Sequence, residues 1–504
     1  GEMYDANREQ QGWSQAKFND SAWKLAVVRS SPYGKLKANM APTDRIMSHY
    51  RPIEIQKIGD KHYHIDFGEE ISGWVSLRHI QNQLGDTISV KYISESNNGQ
   101  HVYICKGGQE SYAPRFTWYV FREVEILGWN GDLTTDNIVA DAVYTGVETT
   151  GRFECSNDLF NKINRMFWRS LTDNLHGSIM SDCPHRERSP YTGDGQLACA
   201  SAMHNLDMSA FYTKWIDDIR GSQNPITGYV PNSAPWQPGC GGGVAWGAAI
   251  NIMPWEFYLH YGDRIMLEHN FEAMKMQTNY LENWKLGDGT ILAEAPLGSD
   301  KPNEWMNLGD WSPAAAFLPN ELVHTFYFWR CADLVARVAQ ILNRDADAIH
   351  YYAIATDVRN AFITKFYNKD TGSFGKYGAN IFALYMMKDM NIEIKDHVIQ
   401  SLRRDIAETE GHLDTGAFAT QFFFEVLAEN GLNELAFEAM NKRTYPSYGY
   451  WVEQGATTTW EEWGGRHSHN HPMFGGALTW FYRCLAGVRV DESTPGFKHI
   501  LFRP

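Results

Sequence analysis

Up to about Glu148, apolar residues recur at every second position in short runs, broken by Gly, Asn and Asp. Phe18–Trp23, Tyr63–Gly68, Gly73–Leu77, Thr87–Tyr92 and Phe121–Ile126 have this period and are rich in β-branched or aromatic side chains, which predicts strands of a β-sandwich region. Near Thr149-Thr150-Gly151 the period changes. Leu159, Ile163, Met166 and Phe167 fall on one face of the stretch Asn157–Asn174, with Ser156 and Asp158 as capping candidates, and a helix is predicted. From there to about Gly487 the pattern gives roughly a dozen helices, clearest at Met208–Arg220, Trp246–Tyr261, Asp263–Lys285, Glu321–Leu342, Asp345–Tyr367, Thr415–Asn430 and Phe474–Leu485. After Gly487 the short period returns in Val488-Arg489-Val490 and Phe497–Phe502. The division expected is therefore 1–148, a β-sandwich region; 149–487, a helical domain; and 488–504, an extended tail. That tail either adds a strand to the sandwich or opens a further β-domain.

Two polar stretches interrupt the helical pattern. Ser181-Asp182-Cys183-Pro184-His185-Arg186-Glu187-Arg188-Ser189-Pro190-Tyr191-Thr192-Gly193-Asp194 is too charged for a core. Its two prolines fix φ and remove donors, so a rigid loop holding carboxylates is predicted. The alternative is a surface turn in which Arg186 and Arg188 pair with the acids. Trp451–Trp463 sets acids among tryptophans, a composition suited to sugars: aromatic faces stack on C–H surfaces while carboxylates bind hydroxyls or move protons. Two acidic loops far apart in sequence point to one cleft with a carboxylate on either side. The long connections Asn224–Gly243 and Gly287–Asp310, rich in Gly, Pro and Trp, are expected near it.

Composition narrows the partner. The 504 residues carry a net charge of −15, which argues against nucleic acid or an anionic membrane surface, while 14% aromatic residues fit either carbohydrate binding or a large aromatic core. Seven scattered cysteines (Cys105, Cys155, Cys183, Cys199, Cys240, Cys331, Cys484) include no C-x-x-C pair, so neither a disulfide framework nor a zinc site is expected. There is no run of about 18 apolar residues and no phosphate-loop or nucleotide motif, and no cofactor is expected. Oligomeric state and compartment are left open.

Several motifs occur together in one order: Asp182-Cys183-Pro184, Arg186-Glu187-Arg188, Thr192-Gly193-Asp194, Pro446–Tyr450, Gly455-Ala456-Thr457-Thr458, Trp460-Glu461-Glu462-Trp463, Asn470-His471 and Leu485–Val488. Together with Gly1–Ala6, Asp66-Phe67-Gly68, Gly73-Trp74 and Pro114–Arg122, they resemble the α-L-rhamnosidases of glycoside hydrolase family 78. The resemblance implies a multidomain protein: an all-α (α/α)6 toroid with an N-terminal β-sandwich region and a short C-terminal extended segment, shorter than its relatives at both ends. It implies inverting, exo-acting hydrolysis of terminal α-L-rhamnosyl residues, with a rhamnosylated glycan or glycoside as substrate. Carried onto this sequence, Glu187 matches the general acid and Glu461 the general base. Asp182 and Asp194 match acids that hold or tune the sugar site, and His471 matches a sugar-binding histidine. Tyr191, Trp460 and Trp463 are stacking candidates, and Arg186, Trp246 and Trp311 fall in matching segments. Asp310, in Gly309-Asp310-Trp311, is expected either to bind a hydroxyl or to cap a helix.

Chemistry agrees with two carboxyls, because inversion needs a protonated acid at the leaving oxygen and a carboxylate activating water on the opposite face. At least one of Arg186 and Arg188 is expected to pair with an aspartate, leaving Glu187 able to keep its proton. Two departures stand out. Ser189-Pro190-Tyr191 replaces the usual Leu-Gly-Trp, and Ala248 stands where the family carries an aspartate, which bears on the exact sugar. The alternative function is a catalytically silent or altered member that binds a different sugar in the same cleft.

Overall fold

A computed structural model describes residues 1–31, 34–95, 99–235, 243–291, 308–390 and 393–504. Parts of the two long connections, and Cys240, lie outside the described residues. The chain forms two compact units: residues 1–40 with 45–143, and residues 41–44 with 144–504.

The first unit is built on one nine-stranded sheet that curls. Its order is β1 (Glu2–Asp5), β6 (Gln100–Ile104), β5 (Thr87–Ile93), β8 (Tyr119–Leu127), β4 (His62–Ile80), β9 (Ile138–Thr145) and β2 (Asp44–Tyr50). Strands β3 (Glu54–Gly59) and β7 (Glu110–Tyr112) pair with β4 off this path. The two runs expected around Tyr63 and Gly73 are a single strand, the 19-residue β4. A register shift between Asp66 and Ile71 interrupts its pairing with β8, and Gly73–Leu77 pair with Ala142–Ile138 of β9. Bulges of this kind bend a strand and increase its twist, and here they curl the sheet. Gly73 is required at the crossing, because a Cβ there would lie 1.9 Å from the Asp141 carbonyl oxygen. Alternate residues such as Ile88, Val90, Tyr92, Val124 and Ile126 fill the core. Phe18–Trp23 is not a strand. The Asn19 side chain competes for the backbone, accepting from Ser21 N–H at Oδ1, and Trp23 N–H donates to the Asp20 carbonyl, giving turns.

In the second unit the helices alternate between two degrees of burial. α2 (Thr192–Asn205), α5 (Ala249–Tyr261), α7 (Asn320–Ile341), α9 (Gly378–Met386) and α11 (Ala417–Glu429) are buried over most of their surface. Their sequences are small or apolar nearly all round, as an inner layer requires. Between them run α3 (Ser209–Ser222), α6 (Arg264–Glu282), α8 (Asp345–Phe366), α10 (Glu393–Glu408) and α12 (Asn433–Met440), each burying one stripe. Inner and outer helices pack as hairpins, α7 on α8 and α9 on α10 among them, and neighbouring inner helices touch, as α2 does α5 and α9 does α11. The result is a barrel of helical hairpins, entered by α1 (Asp158–Asp173) and followed after α12 by the short α13 (Tyr448–Glu453).

Local details depart from the sequence pattern. Asn157, not Ser156 or Asp158, caps α1, its side chain accepting from Leu159 and Phe160 N–H. The helix expected from Trp246 breaks at Ala248 into α4 (Val244–Gly247) and α5. Phe474–Leu485 is a 3₁₀ turn and a π turn, where Gly475 meets the ring of Phe167 too closely for any side chain. The tail adds no strand to the large sheet: β10 (Val488–Val490) and β11 (Ile500–Phe502) pair with each other.

Candidate active site

The cleft lies at the end of the barrel where the inner helices begin. Asp194 stands in the first turn of α2, Trp246 on α4 just ahead of α5, and Trp311 ahead of α7; Glu461 and His471 precede the 3₁₀ turn Met473–Leu478. A cavity of about 250 Å³ is lined by Asp182, Glu187, Tyr191, Asp194, Asn232, Trp246, Leu308, Trp311, Glu461, His471 and Met473.

One wall is the loop after Met180. Asp182 closes it at both ends: its N–H donates to the Ser189 carbonyl at 2.9 Å and its Oδ1 accepts from Ser189 N–H at 3.0 Å. Arg188 takes a left-handed conformation, and its Nε donates to the Pro184 carbonyl at 2.7 Å. Beyond the loop, Thr192 N–H donates to the Asn232 carbonyl at 2.6 Å and Ala234 N–H to that of Pro190, which fastens Tyr191 beside Asn232. Gly193 leaves room for the Trp246 indole, which a Cβ would strike at 2.5 Å.

The facing wall is a tight turn. Glu461 N–H donates to the Ser468 carbonyl at 2.8 Å, and Ser468 N–H donates back to Glu461 Oε2 at 3.1 Å. His471 is tied to Thr459 by two further bonds. Its Nε2 meets Asp194 Oδ1 at 2.7 Å, and its Nδ1 stands 3.9 Å from Glu461 Oε2. Burial works against an imidazolium there, but Asp194, Glu461 and Asp182 outweigh it and raise the pKa to about 9. Burial and the neighbouring Asp194 push the Asp182 carboxyl up, against the pull of His471.

Arg186 reaches between the walls. One guanidinium nitrogen lies 3.4 Å from Glu187 Oε1 and 3.3 Å from Glu461 Oε2. It thus turns to both glutamates rather than to an aspartate, while Asp194 pairs with His471. Glu461 faces the cleft while its neighbour Glu462 turns away to Arg466 and His467.

Three expected residues are elsewhere. Trp463 is 1% exposed, stacked on Trp451 with ring centroids 5.0 Å apart, and donates its Nε1–H to the Thr415 carbonyl. Trp460 stacks on His469 at 4.1 Å, behind the turn. Both are occupied by packing and leave no face for a sugar. Asp310 is buried and caps α11, accepting from Gly416 and Ala419 N–H at 2.9 and 3.0 Å, and burial raises its carboxyl to about 7. Ala248 is fully buried at the α4–α5 junction and does not line the cavity. Asn232, Leu308 and Met473 line it without having been expected. Met473 lies two residues beyond His471, a spacing that places both at one turn, whereas Asn232 and Leu308 carry no motif. Among the described residues no group of three or more His, Cys, Asp or Glu is placed to hold a metal, and no helix is long and apolar enough to cross a membrane.

The chain matches three family models along its length. These are an α-L-rhamnosidase N-terminal domain over residues 1–48, a bacterial α-L-rhamnosidase concanavalin-like domain over 56–144, and a bacterial α-L-rhamnosidase six-hairpin glycosidase domain over 148–485. It is 30% identical to an α-L-rhamnosidase of Formosa agariphila, with 100% of this chain aligned to 56% of the relative, and 29% identical to one of Streptomyces avermitilis, covering 50% of it. The chain thus spans about half the length of the curated relatives it matches. Among solved structures, the α-L-rhamnosidase of Dictyoglumus thermophilum superposes with a TM-score of 0.91 at 34% identity, over 100% of this chain and 58% of that one. The Streptomyces avermitilis α-L-rhamnosidase complexed with L-rhamnose superposes at 0.90 and 28% identity, over 100% and 50%.

Proposed function

Because the chain belongs to the bacterial α-L-rhamnosidase family, we propose that it is a glycoside hydrolase that removes terminal α-L-rhamnosyl residues with inversion, Glu187 acting as general acid and Glu461 as general base. The observation that carries this reading is that the two glutamates, 274 positions apart in sequence, line one cavity with a single guanidinium nitrogen between them. In the cycle, a sugar enters and its ring and hydroxyls displace Arg186 from between the glutamates. Glu187, with 43% of its side chain exposed, turns to the leaving oxygen and gives up its proton. Glu461, only 9% exposed and fixed by Ser468 N–H, takes a proton from the water that attacks the anomeric carbon from the opposite face.

The remaining contacts support one ring in the cleft. Tyr191, Trp246 and Trp311 offer aromatic surface, Leu308 and Met473 apolar surface, and Asp182, Asp194, Asn232 and His471 hydrogen-bond partners for hydroxyls. At about 250 Å³ the cavity falls below the roughly 300–1,000 Å³ of drug-sized sites, which favours a single terminal sugar over an internal one.

The test is hydrolysis of an aryl α-L-rhamnoside by the parent, Glu187→Gln and Glu461→Gln, with the anomeric configuration followed by NMR. Release of β-L-rhamnose by the parent, and much slower release by both variants from an unactivated phenyl rhamnoside, is the expected result. First-formed α-L-rhamnose would overturn the inverting mechanism. A folded parent that turns over no rhamnoside would overturn the activity and leave a sugar-binding role.

A further inference from the structure

The loop that carries Glu187 has a thiol at its centre. Cys183 is fully buried, one residue after Asp182 and four before Glu187. Its S–H donates to Asp182 Oδ2 at 3.1 Å, and its sulfur accepts from Glu187 N–H at 3.5 Å. The other oxygen of Asp182 is taken by Ser189 N–H, so the thiol completes the set of donors that fixes this carboxylate. Pro184 follows directly and has no N–H to offer in its place. Thus one sulfur joins the carboxylate on the cleft wall to the backbone of the glutamate beside it.

We propose that Cys183 is a positioning residue, setting the reach of Glu187 toward the leaving oxygen by holding Glu187 N–H and Asp182 Oδ2 together. The proposal rests on the reading of Glu187 as general acid. Burial and the adjacent Asp182 raise the Cys183 thiol far above its ordinary range, so the sulfur stays a protonated donor wherever the enzyme works and is a poor nucleophile. A serine can repeat both bonds at shorter reach. Alanine can repeat neither, and frees Asp182 Oδ2 and Glu187 N–H together.

A positioning role for an acid has a signature that general loosening of the fold lacks. Proton donation matters for a poor leaving group and hardly at all for an activated one. The experiment compares the parent, Cys183→Ala and Cys183→Ser on an alkyl α-L-rhamnoside and on a dinitrophenyl α-L-rhamnoside. Cys183→Ala should lose about tenfold or more in kcat/KM on the alkyl substrate and no more than about threefold on the activated one, with Cys183→Ser close to the parent on both. Equal losses on the two substrates, no loss on either, or a serine variant no better than alanine would each overturn the proposal. Cys183→Val, which refills the volume without a donor, repeats the comparison should the alanine variant not fold. A readout free of substrate accompanies it: ¹³C NMR titration of the Asp182 carboxyl, assigned with Asp182→Asn. Its midpoint should rise in Cys183→Ala but not in Cys183→Ser, since the lost bond favoured the ionised form. An unmoved midpoint would overturn the link to Asp182. A parent inactive on both rhamnosides would count against the rhamnosidase reading, while the titration still decides what the thiol holds.

Discussion

The turn that carries Glu461 and the loop that carries Glu187 face the same cavity but are held differently. Around Glu461 its N–H donates to the Ser468 carbonyl, its carboxylate accepts from Ser468 N–H, and Trp460, Trp463 and Trp451 pack behind. Around Glu187 the loop is closed at its base by Asp182 and Ser189, yet the glutamate side chain is nearly half exposed and is held by an ion pair with Arg186. The difference suits the two proposed roles: water would attack from one direction, so a base gains from a fixed position, while leaving groups vary in shape and an acid gains from reach.

The largest expected effect tests the fixed side. Glu461→Gln should lower kcat by about 10³-fold with every leaving group, whereas Glu187→Gln should recover much of its activity on activated aryl rhamnosides. Steady-state kinetics on paired substrates checks this, and similar recovery in both variants would erase the distinction. Next, Trp463→Ala removes a buried anchor of the fixed turn and should cost about 3–5 kcal/mol of stability by denaturant unfolding, whereas Trp311→Ala, at the cleft, should raise KM with little change in melting. A third expectation concerns pH. The folded-state pKa of His471 is raised from 6.5 to about 9, so its charge stabilises the fold in full below about pH 6.5, and that contribution is lost as pH rises through about 9. Thermal melts should show this fall in the parent and not in His471→Gln, and activity should fall over the same alkaline range. The smallest effect belongs to the exposed side. Arg186→Gln should change stability by less than about 1 kcal/mol, because the Arg186 side chain is itself more than a third exposed and its charge is screened by solvent.

Much of this was legible in the sequence for identifiable reasons. Prolines on either side of Glu187 and the change of hydrophobic period at Gly151 are local signals, and they gave the rigid loop and the two-part architecture. The long-range decisions were not local. Nothing near Trp463 says that its indole will find the Thr415 carbonyl, and nothing near Asp310 says that the start of α11 will close over it. Both residue types serve cores and caps as readily as sugar sites, and tertiary packing decided between the roles. Asn232 and Leu308 were missed because neutral and apolar lining residues carry no motif. Phe18–Trp23 was read as a strand from its aromatics, and the Asn19 side chain with a turn at Asp20 won the backbone instead.

The cation between the two glutamates has a further consequence. Asp182, Glu187, Asp194 and Glu461 converge on the cavity, with Arg186 and His471 as the cations bonded among them. On the proposed roles Glu187 holds a proton and burial pushes the Asp182 carboxyl up, so the charges left are Asp194 and Glu461 against His471 and Arg186, close to balance. A uronic acid or a sulfate ester would bring an uncompensated charge into this confined space, where charges are poorly solvated, while a neutral deoxy sugar would bring none. Inhibition by neutral monosaccharides should therefore exceed that by their carboxylated counterparts.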